Sequence, residues 1–474
     1  MIFTEFRFFI FFIIAFIVYW QLNKNQYRKF WLLACSYFFY GVWDWRFLSL
    51  IFISTVVDYI SGGKIFQYQN PQTKKKWLLI SLFTNLGLLG FFKYFNFFTD
   101  SAIQFFPFLG FSVNFSLLNI ILPVGISFYT FQTLSYSLDI YKGKLKATKS
   151  FLDFALFVCF FPQLVAGPIV RASIFLPQLL SKKQFSQVDI RGCLILFLVG
   201  FFKKACIGDN LSPIISEYFS NPEIYTWQSS WVAVISFSIQ LYCDFSGYSD
   251  MAIACAGLLG YKLPLNFNFP YFTSNITQLW RHWHITMSGW FKDYLYIPLM
   301  KRRKKQEATK IFSYRNLFIT MCFSGLWHGA AWNFVVWGGL HGIALIVHKE
   351  WSRLLSPYKK TLPIREIIGI PLTFYWFCVS VIFFRCQDIG SGLSIVKSFV
   401  LFQSLGNDNL GLSSEFIYIF AFLVLLHWLE YQQYLTNLWR KISTTNFVIL
   451  YTICIGIILP LIAPSYEAFI YFQF

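Results

Sequence analysis

Apolar stretches recur from one end of the chain to the other, and short polar connections separate them. A helix needs about 20 predominantly apolar residues to cross the hydrocarbon core of a bilayer. Several stretches are shorter than that, which indicates tilted, broken or re-entrant helices. The pattern therefore predicts an all-α polytopic membrane protein with about 10 to 12 transmembrane helices. The candidate spans are residues 8–22, 30–42, 48–60, 77–98, 117–136, 151–165, 190–205, 231–259, 317–328, 332–347, 367–384, 416–429 and 447–463.

The composition supports a chain that is embedded in a membrane. Of the 474 residues, 57% are hydrophobic and only 13% are charged, whereas soluble domains contain roughly 25% charged residues. Because no long polar segment interrupts the spans, we expect a single membrane-embedded domain over residues 1–474. No cleavage pattern follows the apolar stretch 8–22, so we expect it to be retained as the first span.

The formal net charge of +18 would suit nucleic acid, but the basic residues are concentrated in short connections such as 24–29, 74–76 and 301–305. Cytoplasmic connections of membrane proteins carry an excess of Lys and Arg. We therefore expect these connections to be cytoplasmic and the N-terminus to lie outside. The expected partner is the lipid bilayer, with no nucleic acid. The ten cysteines have no spacing suited to zinc, so we expect no metal site.

Polar residues interrupt two of the apolar stretches. Residues 161–171 contain Gly167 and Pro168, and residues 241–250 contain Asp244 and Asp250. Non-helical backbone at membrane depth persists only where protein or a water-filled cavity satisfies its hydrogen bonds. We therefore predict a broken helix and a protein-lined cavity at 241–250. We expect both aspartates to be structural rather than catalytic.

The strongest candidate for chemistry is a histidine inside an apolar stretch. His328 lies between Gly325 and Gly329, with Trp327 beside it. An ionisable residue within an apolar span is a functional candidate, because burying it is costly. A neutral imidazole can take the proton of an alcohol that attacks an ester or a thioester. The alternative is a histidine that only hydrogen-bonds across helices.

The sequence gives weaker reasons for a catalytic role of the neighbouring histidines. His282 and His284 would point about 200° apart on one helix, so only one of them could face a given cavity. For His282 we favour a place in an interfacial aromatic belt. In one unbroken helix, His341 would lie about 20 Å beyond His328, which indicates a packed helix residue. A break at Gly338 and Gly339 would leave it a supporting role.

Several segments together resemble the membrane-bound O-acyltransferase family, and specifically its bacterial alginate O-acetylation branch, the AlgI type. The resemblance runs nearly the full length of the chain, and many fragments in one order are more specific than any one of them. These segments are residues 122–131 (LPVGISFYTF), 161–171, 244–250 (DFSGYSD), 280–284 (WRHWH), 325–329 (GLWHG) and 469–474 (FIYFQF).

The resemblance implies a bowl of tilted helices around a central tunnel. The family's catalytic histidine corresponds to His328, and its second polar site to His284, where many relatives have Asn or Asp. Trp327, Asn333 and His341 are expected to support them. The binding residues of any cofactor stay unassigned.

The resemblance also implies a reaction and its partners. We expect transfer of an acetyl group from a cytoplasmic donor to hydroxyls of an extracytoplasmic polysaccharide, directly or through a partner protein. The donor would be acetyl-CoA or another acyl carrier, with no bound cofactor. The expected partner is a periplasmic SGNH-type acetyltransferase or a polysaccharide-export protein, and the expected location is the cell inner membrane.

Two other functions fit the same apolar pattern. A transporter or flippase of lipid-linked sugar would also have many spans and buried aspartates. A lipid acyltransferase would share the chemistry and differ in its acceptor. The polar residues gather around one histidine-containing region instead of lining successive helices, which favours an enzyme.

Overall fold

The computed structural model describes residues 1–111, 116–301, 310–355, 363–411, 414–464 and 469–470. These residues are largely helical, and within them the only β-type pairing is an isolated bridge between Tyr225 and Asp408. The predicted all-α class is therefore confirmed.

The α-helices differ widely in length, from single turns to one helix of 32 residues. In chain order they are α1 (Phe6–Gln21), α2 (Asn25–Asp44), α3 (Leu48–Gln67), α4 (Pro71–Leu89), α5 (Phe95–Phe105), α6 (Ile126–Tyr141), α7 (Phe151–Cys159), α8 (Phe161–Leu164), α9 (Ala172–Leu180), α10 (Ile190–Phe201), α11 (Asp209–Ser220), α12 (Trp227–Leu258), α13 (Ile276–His282), α14 (Ile285–Phe291), α15 (Ile297–Lys301), α16 (Lys310–His328), α17 (Trp332–Leu354), α18 (Pro363–Arg385), α19 (Ile389–Leu401), α20 (Ser414–Tyr431), α21 (Tyr434–Lys441) and α22 (Thr444–Ile458).

Membrane-length apolar helices lie in the first quarter and the last quarter of the chain. Among the described residues, four helical segments are long and apolar enough to cross a bilayer: Asn25–Gln67, Pro71–Leu109, Glu366–Arg385 and Thr444–Leu461. Many other helices are shorter, as the short apolar stretches predicted. Three π-helical turns, Gly90–Tyr94, Phe202–Gly208 and Lys292–Tyr296, follow α4, α10 and α14.

Buried polar side chains join the helices of the N-terminal half. Asp58 of α3 accepts hydrogen bonds from Asn85 of α4 at 2.7 Å and from Ser137 of α6 at 2.7 Å. Ser54 of α3 also donates to Asn85 at 2.6 Å. Interhelical hydrogen bonds of this kind connect helices in an apolar surrounding, where packing gains no hydrophobic driving force from lipid.

The break predicted at residues 241–250 is wrong. This segment lies inside α12, which is continuous from Trp227 to Leu258. Asp244 and Asp250 reach Lys204 and Lys203 at 2.7 and 2.8 Å, on the π-helical turn after α10. Because these lysines satisfy the carboxylates, α12 needs no break, and the irregular backbone lies in its neighbour instead.

Two other candidate spans are also interrupted. The helix expected from residue 117 begins only at Ile126, after Gly125 in the left-handed region at φ 75°. A Cβ atom at Gly125 would lie 2.8 Å from the carbonyl oxygen of Leu164, so the turn needs a glycine. The stretch 151–165 divides into α7 and α8. The segments before α6 and after α8 therefore meet at a tight, irregular crossing.

Candidate active site

A tight hairpin of α16 and α17 places His328. At Gly325 an added Cβ atom would lie 2.0 Å from the carbonyl oxygen of Phe334, and at Gly338 it would lie 2.2 Å from that of Met321. Small residues therefore let the two helix backbones pack in direct contact, as is common between membrane helices. The chain reverses immediately after His328, so its imidazole lies at the end of α16.

The ring of His328 is buried among aromatic side chains. Its exposed fraction is 2%, and its ring centroid lies 5.0 Å from Trp327, 5.0 Å from Trp337 and 5.2 Å from Phe384. Such a setting excludes bulk water, which would otherwise compete for an activated acyl group.

His284 lies opposite His328, at a break between helices. Its backbone is left-handed, with φ 41°, between the end of α13 and the start of α14. The expectation that His282 and His284 share one helix is therefore wrong. His284 is fully buried, and its ring centroid lies 6.5 Å from that of His328 and 5.8 Å from that of Trp327. His282 instead points to the backbone carbonyl of Asn268, at 2.5 Å.

Asn266 fixes the tautomer of His284. The side-chain oxygen of Asn266 lies 3.0 Å from Nδ1 of His284 and accepts hydrogen bonds from both the backbone N–H and the hydroxyl of Thr286. These donors identify that atom as the oxygen of the amide, so Nδ1 of His284 carries the proton. Nε2 is then left with a lone pair. Among the described residues it has no hydrogen-bond partner.

His341 lies much closer to His328 than an unbroken helix would allow. The chain reverses between α16 and α17, so the helix breaks before Trp332 and not at Gly338 and Gly339. Trp337 lies between the two histidines, with its ring centroid 5.0 Å from His328 and 4.7 Å from His341. His341 is buried, and its Nδ1 accepts the indole N–H of Trp280 at 3.3 Å.

The other two expected supporting residues occupy different places. Trp327 lies beside both main histidines, with its ring centroid 5.0 Å from that of His328 and 5.8 Å from that of His284, and it also contacts Phe128 and Phe131, both at 5.4 Å. Asn333 is buried and donates to the carbonyl of Cys386 at 3.1 Å. It therefore ties the start of α17 to the end of α18. The structure brings Trp327, His284 and His341 around His328, and it places Asn333 in the supporting framework.

A narrow cavity adjoins His328. Its volume is about 30 Å³, and its wall includes Trp327, Val165, Lys93 and the segment before and into α6, residues 122–128. The motif at 122–131 therefore forms part of the site. Within the described ranges, no group of three or more His, Cys, Asp or Glu side chains could hold a metal ion.

Two residues of this region had no assigned role in the sequence. Lys93 lies within the apolar stretch 77–98, and its Nζ donates to the carbonyls of Trp327 and His328 at 2.6 and 3.0 Å. The sequence did mark Lys93 as a candidate, because an ionisable residue within an apolar span is a functional candidate. Asn266 lies in a polar connection, and only the fold shows that it reaches His284.

The fold and the site together define a membrane-embedded enzyme with buried imidazoles beside a narrow cavity, an arrangement suited to acyl transfer. Residues 144–386 match the model of the membrane-bound O-acyltransferase family, MBOAT. The chain belongs to this family, and it is an O-acyltransferase.

Several O-acetylating enzymes of other bacteria are similar to most of the chain. A peptidoglycan O-acetyltransferase of Helicobacter pylori is 39% identical over 404 residues, covering 80% of this chain and 75% of that protein. A probable alginate O-acetylase AlgI of Azotobacter vinelandii is 38% identical over 392 residues, covering 82% of this chain and 76% of that protein. The AlgI of Pseudomonas putida is 33% identical over the full length of both chains.

Proposed function

We propose that this enzyme transfers an acetyl group from a cytoplasmic thioester donor towards hydroxyls of a polysaccharide outside the cytoplasm. The observation that carries the proposal is the pair of buried imidazoles of His328 and His284, whose ring centroids lie 6.5 Å apart, with a cavity beside His328. The names of the relatives, which include alginate and peptidoglycan O-acetylation, support a polysaccharide acceptor.

In this proposal His328 is the general base. The acceptor hydroxyl gives its proton to the imidazole of His328 as its oxygen attacks the carbonyl carbon of the acetyl thioester. A C–O bond forms, the C–S bond breaks, and the imidazolium returns the proton to the departing thiolate. The products are an acetyl ester and a free thiol. Nε2 of His284, with its lone pair, orients the acyl carrier or the acceptor next to His328.

The donor is acetyl-CoA or another acyl carrier that presents a thioester, and it acts as a substrate. The names of the relatives, a peptidoglycan O-acetyltransferase and a probable alginate O-acetylase, support acetyl over the lipid acyltransferase alternative. Membership of an acyltransferase family favours the enzyme over a transporter of lipid-linked sugar.

The acceptor side involves a partner. A periplasmic SGNH-type acetyltransferase, or a polysaccharide-export protein, would receive the acetyl group or present the glycan. The location that serves both a cytoplasmic donor and an external glycan is the cell inner membrane.

The decisive variant is His328→Ala, with His282→Ala as its matched control. Positioned proton transfer contributes about 10² to 10⁴-fold in rate, so His328→Ala should lose detectable transfer while it stays folded and inserted. His282, which bonds only to a loop carbonyl here, should tolerate alanine. The assay follows labelled acetyl from the thioester in membranes that contain the partner proteins. Near-normal transfer by His328→Ala would overturn the proposed mechanism.

A further inference from the structure

Lys93 is an ionisable residue in an unusual position. It lies in the π-helical turn Gly90–Tyr94, within the apolar segment Pro71–Leu109. π-helical turns are rare and occur frequently at functional sites. An intramembrane lysine is costly to retain, so its position calls for a physical reason.

Two other lysines, which also lie in a π-helical turn, have carboxylate partners. Lys203 pairs with Asp250 at 2.8 Å, and Lys204 pairs with Asp209 and Asp244 at 2.6 and 2.7 Å. For Lys93, no carboxylate of the described residues lies within ion-pair distance, and its Nζ donates to two backbone carbonyls instead. No acidic side chain in the described part of the chain would therefore neutralise an ammonium group at Lys93.

The partners of Lys93 are the last carbonyls of α16. The final four carbonyls of a helix have no partner inside the helix, and in α16 they belong to residues 325–328. Gly329 donates to Gly325 at 3.4 Å, Tyr94 donates to Leu326 at 3.0 Å, and Lys93 donates to the carbonyls of residues 327 and 328. The π-helical turn therefore satisfies three of the four carbonyls.

This contact also places the charge next to the reaction. The ammonium nitrogen lies 3.0 Å from the carbonyl oxygen of His328, and Lys93 and His328 line the same cavity. A positive charge fixed there before the reaction interacts favourably with the negative charge that develops on the acyl carbonyl oxygen. A neutral hydrogen-bond donor could hold the helix end, but it could not supply that interaction.

We propose that Lys93 is a positioning residue for acyl transfer, which fixes the backbone that carries His328 and keeps an ammonium charge at the wall of the cavity. The proposal rests on the acyl transfer proposed above and adds a second functional group to it. It assigns Lys93, and not its neighbour Tyr94, to the active site.

Tyr94→Phe is the matched control for Lys93→Met. The control removes a hydrogen bond to the same helix end but leaves the charge in place, whereas Lys93→Met removes the bonds and the charge at similar length. Lys93→Arg keeps both. For each purified variant, thermal stability and the kcat and KM for the labelled acetyl thioester are measured per folded molecule.

We expect Lys93→Met to lower kcat about 10- to 100-fold with little change in KM, because the charge acts in the transition state. Tyr94→Phe should stay within about threefold of the wild-type kcat, and Lys93→Arg should recover most of it. If Lys93→Met does not fold, Lys93→Gln, which keeps a donor and removes the charge, replaces it with the same expectation.

Three outcomes count against the inference. It is overturned if the charge-removing variant keeps a wild-type kcat, or if Tyr94→Phe and Lys93→Met lose kcat equally, since the role would then be only structural. A variant Lys93→Arg that is as inactive as Lys93→Met would also exclude a role for the charge. If the wild-type protein itself transfers no acetyl group, the proposed function fails first, and that result is distinct from the others.

Discussion

At the residue scale, single neighbours determine what each imidazole can do. His284 has its proton on Nδ1 because the side-chain oxygen of Asn266 accepts there, whereas Nδ1 of His341 is itself an acceptor, for the indole of Trp280. A ring nitrogen that is bonded in one role leaves the other nitrogen with the opposite role. The two histidines therefore present different groups to their surroundings.

Asn266→Ala tests the tautomer of His284. Without the amide oxygen, Nδ1 of His284 has no fixed acceptor, and the ring can change its tautomer or rotate. We expect transfer per folded molecule to fall about 10- to 100-fold, the usual cost of losing a residue that orients a functional histidine. Asn268→Ala is the control, because the side chain of Asn268 is exposed. Equal rates for both variants would exclude the orienting role.

At the element scale, hairpins and π-helical turns build the site more than long spans do. The hairpin of α16 and α17 brings His341 and His328 into contact with the same tryptophan, Trp337. The turn after α4 contacts the end of α16, and the turn after α10 satisfies the aspartates of α12. Irregular backbone at membrane depth is tolerated where protein satisfies its hydrogen bonds, and each of these turns bonds to a neighbouring helix.

Asp244→Ala tests the structural role expected for the aspartate of α12. Asp244 contacts Lys204 and accepts the backbone N–H of Ile470 at 2.7 Å. Its loss leaves these buried donors without that partner, at a cost of roughly 1 to 3 kcal/mol or more. We expect a lower folded yield and a normal rate per folded molecule, with the exposed Asp100→Ala as control. Normal yield with abolished transfer would instead place Asp244 in the reaction.

At the scale of the whole molecule, three of the basic connections lie close together. The guanidinium of Arg28, after α1, donates to the carbonyl of Lys183 at 2.7 Å, and Lys29 pairs with Asp153 at 2.7 Å. The connections after α1, α6 and α9 are therefore neighbours in space. An excess of basic residues on one face is typical of the cytoplasmic side.

The cytoplasmic placement of residues 301–310 stays a prediction, and most of that segment lies outside the described residues. A cysteine at Lys304 should react with a membrane-impermeant thiol reagent only after the cells are opened. Trp45→Cys, in the exposed turn between α2 and α3, should react in intact cells. The parent protein gives the background from native cysteines. Labelling of the Lys304 variant from outside would contradict the topology.

Local sequence was sufficient for the class of the protein and for its central residue. The length of the apolar stretches and the basic residues between them can be read from local sequence. They therefore predicted an all-α membrane protein without knowledge of its packing. His328 stood out for the same reason, because a histidine between glycines in an apolar stretch is conspicuous before any fold is known. Lys93 carried an equal signal, as a charge inside the stretch 77–98, and had no assigned role.

Only the tertiary structure decided how these parts meet. The run 241–250 looked like a helix break because its aspartates had no visible partner, and Lys203 and Lys204 of another helix supply one. Likewise, Asn266 reaches His284 although the two residues lie 18 positions apart, with α13 between them. A sequence shows which groups are costly to bury, but the partner that offsets the cost comes from contacts between distant segments, which folding alone creates.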